Sequence, residues 1–221
     1  MIGHPLLDMV EVNMGRDAAA VSFGLDPTRK IVGLFPGSRR SEIERILPTI
    51  LDSAKNLLRQ FPDVQFVLPL ASTLQDSNVL PQLAESGIPA LVTRERIHDL
   101  IRACDAVISV SGTVTLEIAL IGTPMVIIYK LAPLTYMLAK RLVKIKHIGL
   151  CNIIAGETVV RELIQQDATP AGISAEIEKI IGNVLYANEI RQKLSAVRSQ
   201  LKCGGASGNV ARLTLELMER Q

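Results

Sequence analysis

Aromatic residues are scarce in this chain: four Phe, three Tyr and no Trp, or 3% of 221 residues. Hydrophobic residues nevertheless make up 48%, so a real core can form, and it has to be aliphatic. Cysteine is sparse as well. Cys104, Cys151 and Cys203 are odd in number and widely spaced, with no Cys-x-x-Cys. A disulfide framework or a zinc site is thereby disfavoured, and a reducing cytoplasm is the simplest setting. The histidines His4, His98 and His147 do not cluster in sequence. There is no excess of one charge: 24 basic and 22 acidic residues leave +2, too little to make nucleic acid the expected partner. No apolar run approaches the roughly 20 residues of a membrane span. The longest, around 103–110 and 123–129, are strand-length. The opening Met-Ile-Gly-His-Pro lacks the charged and apolar regions of a signal peptide. A Walker loop, a G-x-G-x-x-G, internal repeats and low-complexity stretches are all missing.

What is present is a regular alternation. Ile31–Phe35, Val64–Leu70, Ala90–Val92, Ala106–Val110 and Met125–Tyr129 read as strands. Between them, Ile43, Ile46, Leu47, Ile50, Leu51, Ala54, Leu57 and Leu58 mark the buried face of a long helix. A short helix ends at Gly87, and Ile97–Cys104 and Thr113–Ile121 form two more. Near-continuous apolar strands alternating with helices predict a parallel sheet covered on both faces, an α/β doubly wound Rossmann-like domain. Pattern alone leaves the strand order open. After Tyr129 the spacing predicts helices over Pro133–Lys146, Thr158–Gln166, Ile173–Val184, Asn188–Leu201 and Ser207–Arg220. Gly204-Gly205-x-x-Gly208 follows a helix and reads as a C-cap and turn. Residues 1–30 read as a connector, with a turn at Gly3-His4-Pro5 and a short helix over Asp17–Phe23.

In an open parallel sheet, ligands bind where strands end and helices begin. Two such loops stand out. In Pro36-Gly37-Ser38-Arg39-Arg40, Gly37 lets a backbone approach a ligand closely. Ser41 and Glu44 have capping-box spacing, the helix start favours an anion, and the guanidinium forks of Arg39 and Arg40 suit phosphate. The plainer alternative is a tight turn with two solvated arginines. In Ser111-Gly112-Thr113, small residues at a helix start again permit a phosphate cradle. Glu117, one turn further on the same face as Thr113, can accept hydrogen bonds from a ribose diol. The alternative there is an ordinary N-cap and a surface glutamate. The Pro133–Lys146 segment puts Leu134, Met137, Leu138, Leu142 and Ile145 on one side and Lys140 and Lys144 on another. That pattern suits an anionic membrane surface or an ordinary core-facing helix.

Seven blocks, taken together, resemble the lipid-A-disaccharide synthases. They are Gly3-His4-Pro5-Leu6-x-Asp8, Leu34-x-Pro36-Gly37-Ser38-Arg39 with Glu42, Ser111-Gly112-Thr113-x-Thr115-Leu116-Glu117, Pro124-Met125-Val126 with Tyr129-Lys130, Ala139-Lys140-Arg141-Leu142-Val143-Lys144, Asn152-x-x-Ala155-Gly156 and Glu162-Leu163-x-Gln165. The Ser-Gly-Thr block alone also fits related transferases, such as the N-acetylglucosamine transferase of peptidoglycan synthesis. The Ala-Lys-Arg-Leu-Val-Lys and Asn-x-x-Ala-Gly blocks favour the lipid A family. The resemblance implies a glycosyltransferase of the two-domain GT-B type. Its reaction moves 2,3-diacylglucosamine from UDP to 2,3-diacylglucosamine 1-phosphate with inversion, without a catalytic metal or other cofactor. It implies work at the inner face of the cytoplasmic membrane, since both substrates carry acyl chains. By the same match, Gly37, Ser38 and Arg39 correspond to one donor-phosphate loop, Ser111, Gly112 and Thr113 to a second, and Glu117 to the ribose position. Asn152 corresponds to a position near the cleft, with Glu157 a weaker candidate.

Two departures accompany the resemblance. Cys151 stands where the family has proline. The family also carries a further N-terminal domain of similar fold ending just before Gly-His-Pro, which here begins at Gly3. The expected organisation is therefore a connector at 1–30, the UDP-sugar-binding domain at 31–185, and helices at 186–221 that pack on the absent domain or a partner subunit. The acidic general base that an inverting transfer needs is expected in that other domain. The catalytic residue is thus unknown from these residues. Expected partners are the UDP-linked donor, the lipid monosaccharide 1-phosphate acceptor, a membrane surface, and a second copy or an N-terminal half. The alternatives are a UDP-binding fragment that catalyses nothing, another GT-B enzyme, or a UDP-sugar epimerase of similar fold.

Overall fold

A computed structural model of the chain describes residues 6–131 and 146–201. It begins with helices α1 (Leu6–Met9) and α2 (Arg16–Ser22). The sheet then opens with β1 (Ile31–Phe35), α3 (Arg40–Gln60) and β2 (Gln65–Pro69). A 3-10 turn at Asp76–Asn78 leads to α4 (Leu80–Ser86), which closes on Gly87 at φ +71°, and to β3 (Ala90–Thr93). Next come α5 (Ile97–Ala103), β4 (Ala106–Val110), α6 (Thr113–Ile121) and β5 (Met125–Tyr129). The remaining elements are α7 (Leu150–Ala155), β6 (Glu162–Ile164), a 3-10 turn at Gln165–Asp167, α8 (Pro170–Gly182) and α9 (Val184–Leu201).

The six strands form one sheet in the order β3-β2-β1-β4-β5-β6, and every pairing is parallel. Every residue of β1 and β4 is buried, as expected for central strands with helices over both faces. The core is aliphatic: Phe66 is the one aromatic among its largest fully buried side chains, beside residues such as Ile31, Leu34, Ile50 and Ile108. The chain winds outward from β1 in one direction and from β4 in the other, so a crevice opens between the ends of these two neighbouring strands.

The amino-terminal residues take part in this packing. Ala19 and Ala20 of α2 have no exposed surface and join the core cluster, with α2 lying against α5. Arg16 pairs with Asp105 at 2.7 Å and also donates to the carbonyls of Pro27 and Arg29. At the other end, α9 packs on α6, α7 and α8. Its first two residues, Val184 and Leu185, are exposed.

Several local expectations change. The helix expected over Thr158–Gln166 is instead β6 and a 3-10 turn. Glu162, Leu163 and Ile164 pair with Ile127, Ile128 and Tyr129 of β5, and this long-range ladder overrides local periodicity. The Ser41–Glu44 capping box does not form. Helix α3 starts at Arg40 with Arg39 as N-cap, and Glu44 pairs with Arg40 at 2.7 Å. The helix expected from Ile173 begins earlier, at Pro170, because Thr169 caps it by accepting from the Gly172 N–H at 3.1 Å. The turn at Gly3, most of the Pro133–Lys146 helix, the Ser207–Arg220 helix and the Gly204 turn lie outside the described residues. Among the described residues no helix is long and apolar enough to cross a membrane.

Candidate functional site

β1 and β4 are neighbours in register, with Phe35 beside Ser109. The loops that follow them therefore leave the sheet side by side. Between them and the ends of β2 and β3 lies a cleft of about 510 Å³. Gly37, Ser38 and Arg39 line one wall, and Ser111, Gly112 and Thr113 the opposite one, with Glu117 one turn below. The structure thus brings together seven residues that the sequence singled out.

Each wall is built around glycine. Gly37 has φ +103°, outside the range that L side chains adopt readily, and an added Cβ would meet Glu42 Oε2 at 2.6 Å. Gly112 is different: its φ of 170° is ordinary extended backbone, and a Cβ there would meet nothing within 4 Å. Open space over Gly112 belongs to the cleft itself. Helices α3 and α6 both begin at this cleft, so their unpaired first N–H groups and positive dipole ends converge on it. Such a pair of helix starts favours an anion with more than one charged group.

Side chains add to the field. Arg39 is 79% exposed, with its guanidinium 3.0 Å from Glu42 Oε1. An exposed pair of this kind holds by only ~0.5 kcal/mol, so the guanidinium is easily recruited by a ligand. Ser111 Oγ donates to the Ile148 carbonyl at 3.1 Å, tying the second loop to the segment before α7. Glu117 Oε2 lies 3.3 Å from His98 Nε2 on α5.

Other lining residues were not singled out from sequence. Arg94, at the end of β3, donates to the carbonyls of Ala71 and Leu74, both at 2.9 Å, and to Asp76 at 2.6 Å. It braces the 71–76 loop, whose Thr73 Oγ1 donates to the Ser38 carbonyl at 3.0 Å. A charged residue just past a strand end is a signal that sequence carries, and Arg94 was legible to that extent. The contact of His98 with Glu117 joins residues 19 apart and has no local signature.

Two candidates lie elsewhere. Asn152 does not line the cleft: its side chain is fully buried and fully used. Oδ1 accepts from the Val159 and Val160 N–H groups at 2.8 and 3.0 Å, and Nδ2 donates to the Val160 carbonyl and to Glu162 Oε1, both at 2.8 Å. Glu162 in turn accepts from the N–H groups of Ile148 and Gly149, each at 2.9 Å. Asn152 and Glu162 therefore fold the 148–162 segment back on itself. Glu157 is exposed and is not part of the cleft wall.

The two described cysteines, Cys104 and Cys151, are remote from reactivity. Burial pushes the Cys151 thiol up to about 12 and raises that of Cys104, which donates to the Leu100 carbonyl at 3.2 Å. Lys130, after β5, is lowered from the usual lysine range by burial, and its ammonium donates to Thr49 Oγ1 at 2.9 Å.

Comparison with known proteins adds a family. The lipid-A-disaccharide synthetase family profile matches residues 1–207. Over 219 residues, 99% of this chain, the sequence is 61% identical to the lipid-A-disaccharide synthase of Trichlorobacter lovleyi, and over 220 residues it is 54% identical to that of Geobacter sulfurreducens. The chain spans 57% of the length of each of these relatives. Among solved structures, Anabaena HepE in complex with UDP and glucose superposes with a TM-score of 0.60 over 93% of this chain and 53% of its own, at 19% identity. Escherichia coli ADP-heptose lipopolysaccharide heptosyltransferase II does so with a TM-score of 0.55 over 79% and 54%, at 18% identity. At such identities the likeness is one of fold.

Proposed function

Because the chain belongs to the lipid-A-disaccharide synthetase family, we propose that its cleft is the donor site of that reaction. Here UDP-2,3-diacylglucosamine is held while its sugar passes, with inversion, to 2,3-diacylglucosamine 1-phosphate. The observation that carries the reading is the convergence of two glycine-containing loops and two helix starts on one cleft at the sheet's topological switch point.

In this reading the diphosphate lies between Gly37–Arg39 and Ser111–Thr113. The donor's β-phosphate becomes the leaving group, and negative charge grows on it as the glycosidic bond breaks. Backbone N–H groups at the starts of α3 and α6, already oriented, stabilise that charge without reorganising. The exposed Arg39 exchanges its partner Glu42 for the phosphate, supplying a charge-assisted hydrogen bond that strengthens as charge develops. Glu117 accepts from the ribose diol. Asn152 acts by holding the 148–162 segment, through which Ser111 is tied at Ile148. The base that takes the acceptor's proton comes from the part of the relatives' length that this chain does not span. Acyl chains on both substrates place the work at the cytoplasmic face of the inner membrane, with the basic amphipathic segment Pro133–Lys146 against the lipid surface.

Titration calorimetry with UDP tests the site. Arg39→Ala is expected to weaken binding by ~1.5–3 kcal/mol, on the order of 10- to 150-fold. No heat at millimolar UDP, or equal affinity in the variant, refutes it. A second reading is UDP binding without transfer: the residues lining the cleft supply phosphate and ribose contacts, and none of them is assigned as the base. Supplying the remaining portion of a relative in trans separates the two: disaccharide formation supports the transferase and rules out the inert module.

A further inference from the structure

Glu117 lines the cleft one helical turn beyond the Gly112–Thr113 start of α6, about 6 Å along the axis. An ionised carboxylate can only accept hydrogen bonds, so at that position it selects a hydroxyl-bearing group and repels a second anion. A glutamate on a helix surface samples many rotamers, and recognition by a mobile acceptor is weakened by the entropy of fixing it. Here the carboxylate is not free to roam. His98 Nε2 meets Oε2 at 3.3 Å, and Oε1 has no hydrogen-bond partner among the described residues. Both side chains are about one-fifth exposed, 22% for His98 and 21% for Glu117.

The position of His98 is itself built. It is the second residue of α5, and the preceding N-cap, Arg96, sits at φ +52° in the left-handed region. That conformation costs a non-glycine residue energy and needs outside support. Arg96 gets it from three directions: Asp99 Oδ2 at 3.1 Å, Ser22 Oγ at 2.9 Å, and the face of the Phe23 ring, 4.8 Å from the guanidinium carbon to the ring centroid. The turn that aims α5, and His98 with it, is thus locked to α2.

We propose that His98 is a positioning residue: it holds one oxygen of Glu117 so that the other stays directed into the cleft to accept from the diol of a nucleoside diphosphate. The inference rests on the donor-site reading above and deepens it by assigning ribose selectivity to a pair of residues on two helices. His98 touches Glu117 and not the ligand, so its loss lowers discrimination at the sugar and leaves diphosphate binding intact.

The test compares UDP with 2′,3′-dideoxy-UDP on the full chain by calorimetry. The unaltered chain is expected to prefer UDP. In His98→Leu that preference falls about three- to tenfold, while dideoxy-UDP affinity stays within about twofold, which also shows that the variant is folded. His98→Gln, whose amide can donate, retains most of the preference. His98→Phe keeps a ring without a donor and stands in should His98→Leu fail to fold. Equal weakening towards both ligands, or a preference unchanged in both donor-free variants, overturns the proposal. An unaltered chain that binds both ligands equally also overturns it while leaving the diphosphate site standing. An unaltered chain that binds neither removes the donor-site reading, and this inference with it.

Discussion

Replacing Asn152 with alanine distinguishes a buried structural hub from a ligand contact. The side chain has no exposed surface and makes four hydrogen bonds to nitrogen and oxygen partners, with the Cys151 thiol a more distant fifth at 3.9 Å. Truncation orphans the N–H groups of Val159 and Val160, residues that are 5% and 1% exposed. Each unsatisfied buried donor costs ~1–3 kcal/mol. The Val160 carbonyl loses one partner, and Glu162 keeps its two backbone donors, so these add less. Allowing for local relaxation, Asn152→Ala should lower unfolding stability by about 3 kcal/mol. At a urea dependence of ~2–3 kcal/mol per molar, the midpoint moves down by about 1–1.5 M. Urea unfolding followed by far-UV circular dichroism reads this directly. A UDP titration at low urea, where both proteins are folded, should show affinity changed less than about threefold, within the scatter expected of an indirect effect. Asn152→Asp keeps the two acceptor contacts but sets a second carboxylate against Glu162, and should be at least as damaging at neutral pH. Stability within ~0.5 kcal/mol of the unaltered chain, combined with a large loss of UDP binding, would refute the hub and make Asn152 a ligand contact.

Gly37→Ala forces a Cβ onto φ +103° and to 2.6 Å from Glu42 Oε2, displacing that carboxylate from Arg39. Loss of ~1–3 kcal/mol in urea unfolding and weaker UDP binding are expected, and an unchanged affinity would detach the loop from the site. Tyr186 is raised to about 12 by burial and by its hydroxyl's bond to Glu176 at 2.5 Å. The unfolded tyrosine loses its proton near ~10, so the native state binds more protons above that pH. Its contribution is intact below pH ~10 and disappears as pH rises towards ~12. Tyr186→Phe should flatten the fall of stability over that interval, and an unchanged slope in alkaline urea titrations contradicts it. Cys104 and Cys151, both buried with raised thiols, should resist iodoacetamide until the chain unfolds, as mass spectrometry of labelled peptides would reveal.

Much of this molecule is local enough to be written in its sequence. Ile31–Phe35, Ala106–Val110 and Met125–Tyr129 are strands residue for residue as expected, and Thr113–Ile121 is the expected helix. An apolar run ending at turn residues needs no distant partner to declare itself. The two loops were legible for a similar reason: small residues beside a helix start mark each one, and at Gly37 the glycine answers a backbone requirement expressed at one position. What sequence alone left open is everything that depends on which segments become neighbours. The strand order sets β1 beside β4, and that adjacency turns two separate loops into the walls of one cleft. Pairing with β5 made a strand of Glu162–Ile164, where local periodicity favoured a helix. Burial decided that Asn152 spends its whole hydrogen-bonding capacity on backbone and Glu162 instead of facing the cleft, and the packing of α5 on α6 brought His98 to Glu117. These are contacts between residues far apart in the chain. Their free energy exists only once the sheet has closed, which is why no single stretch of sequence records them.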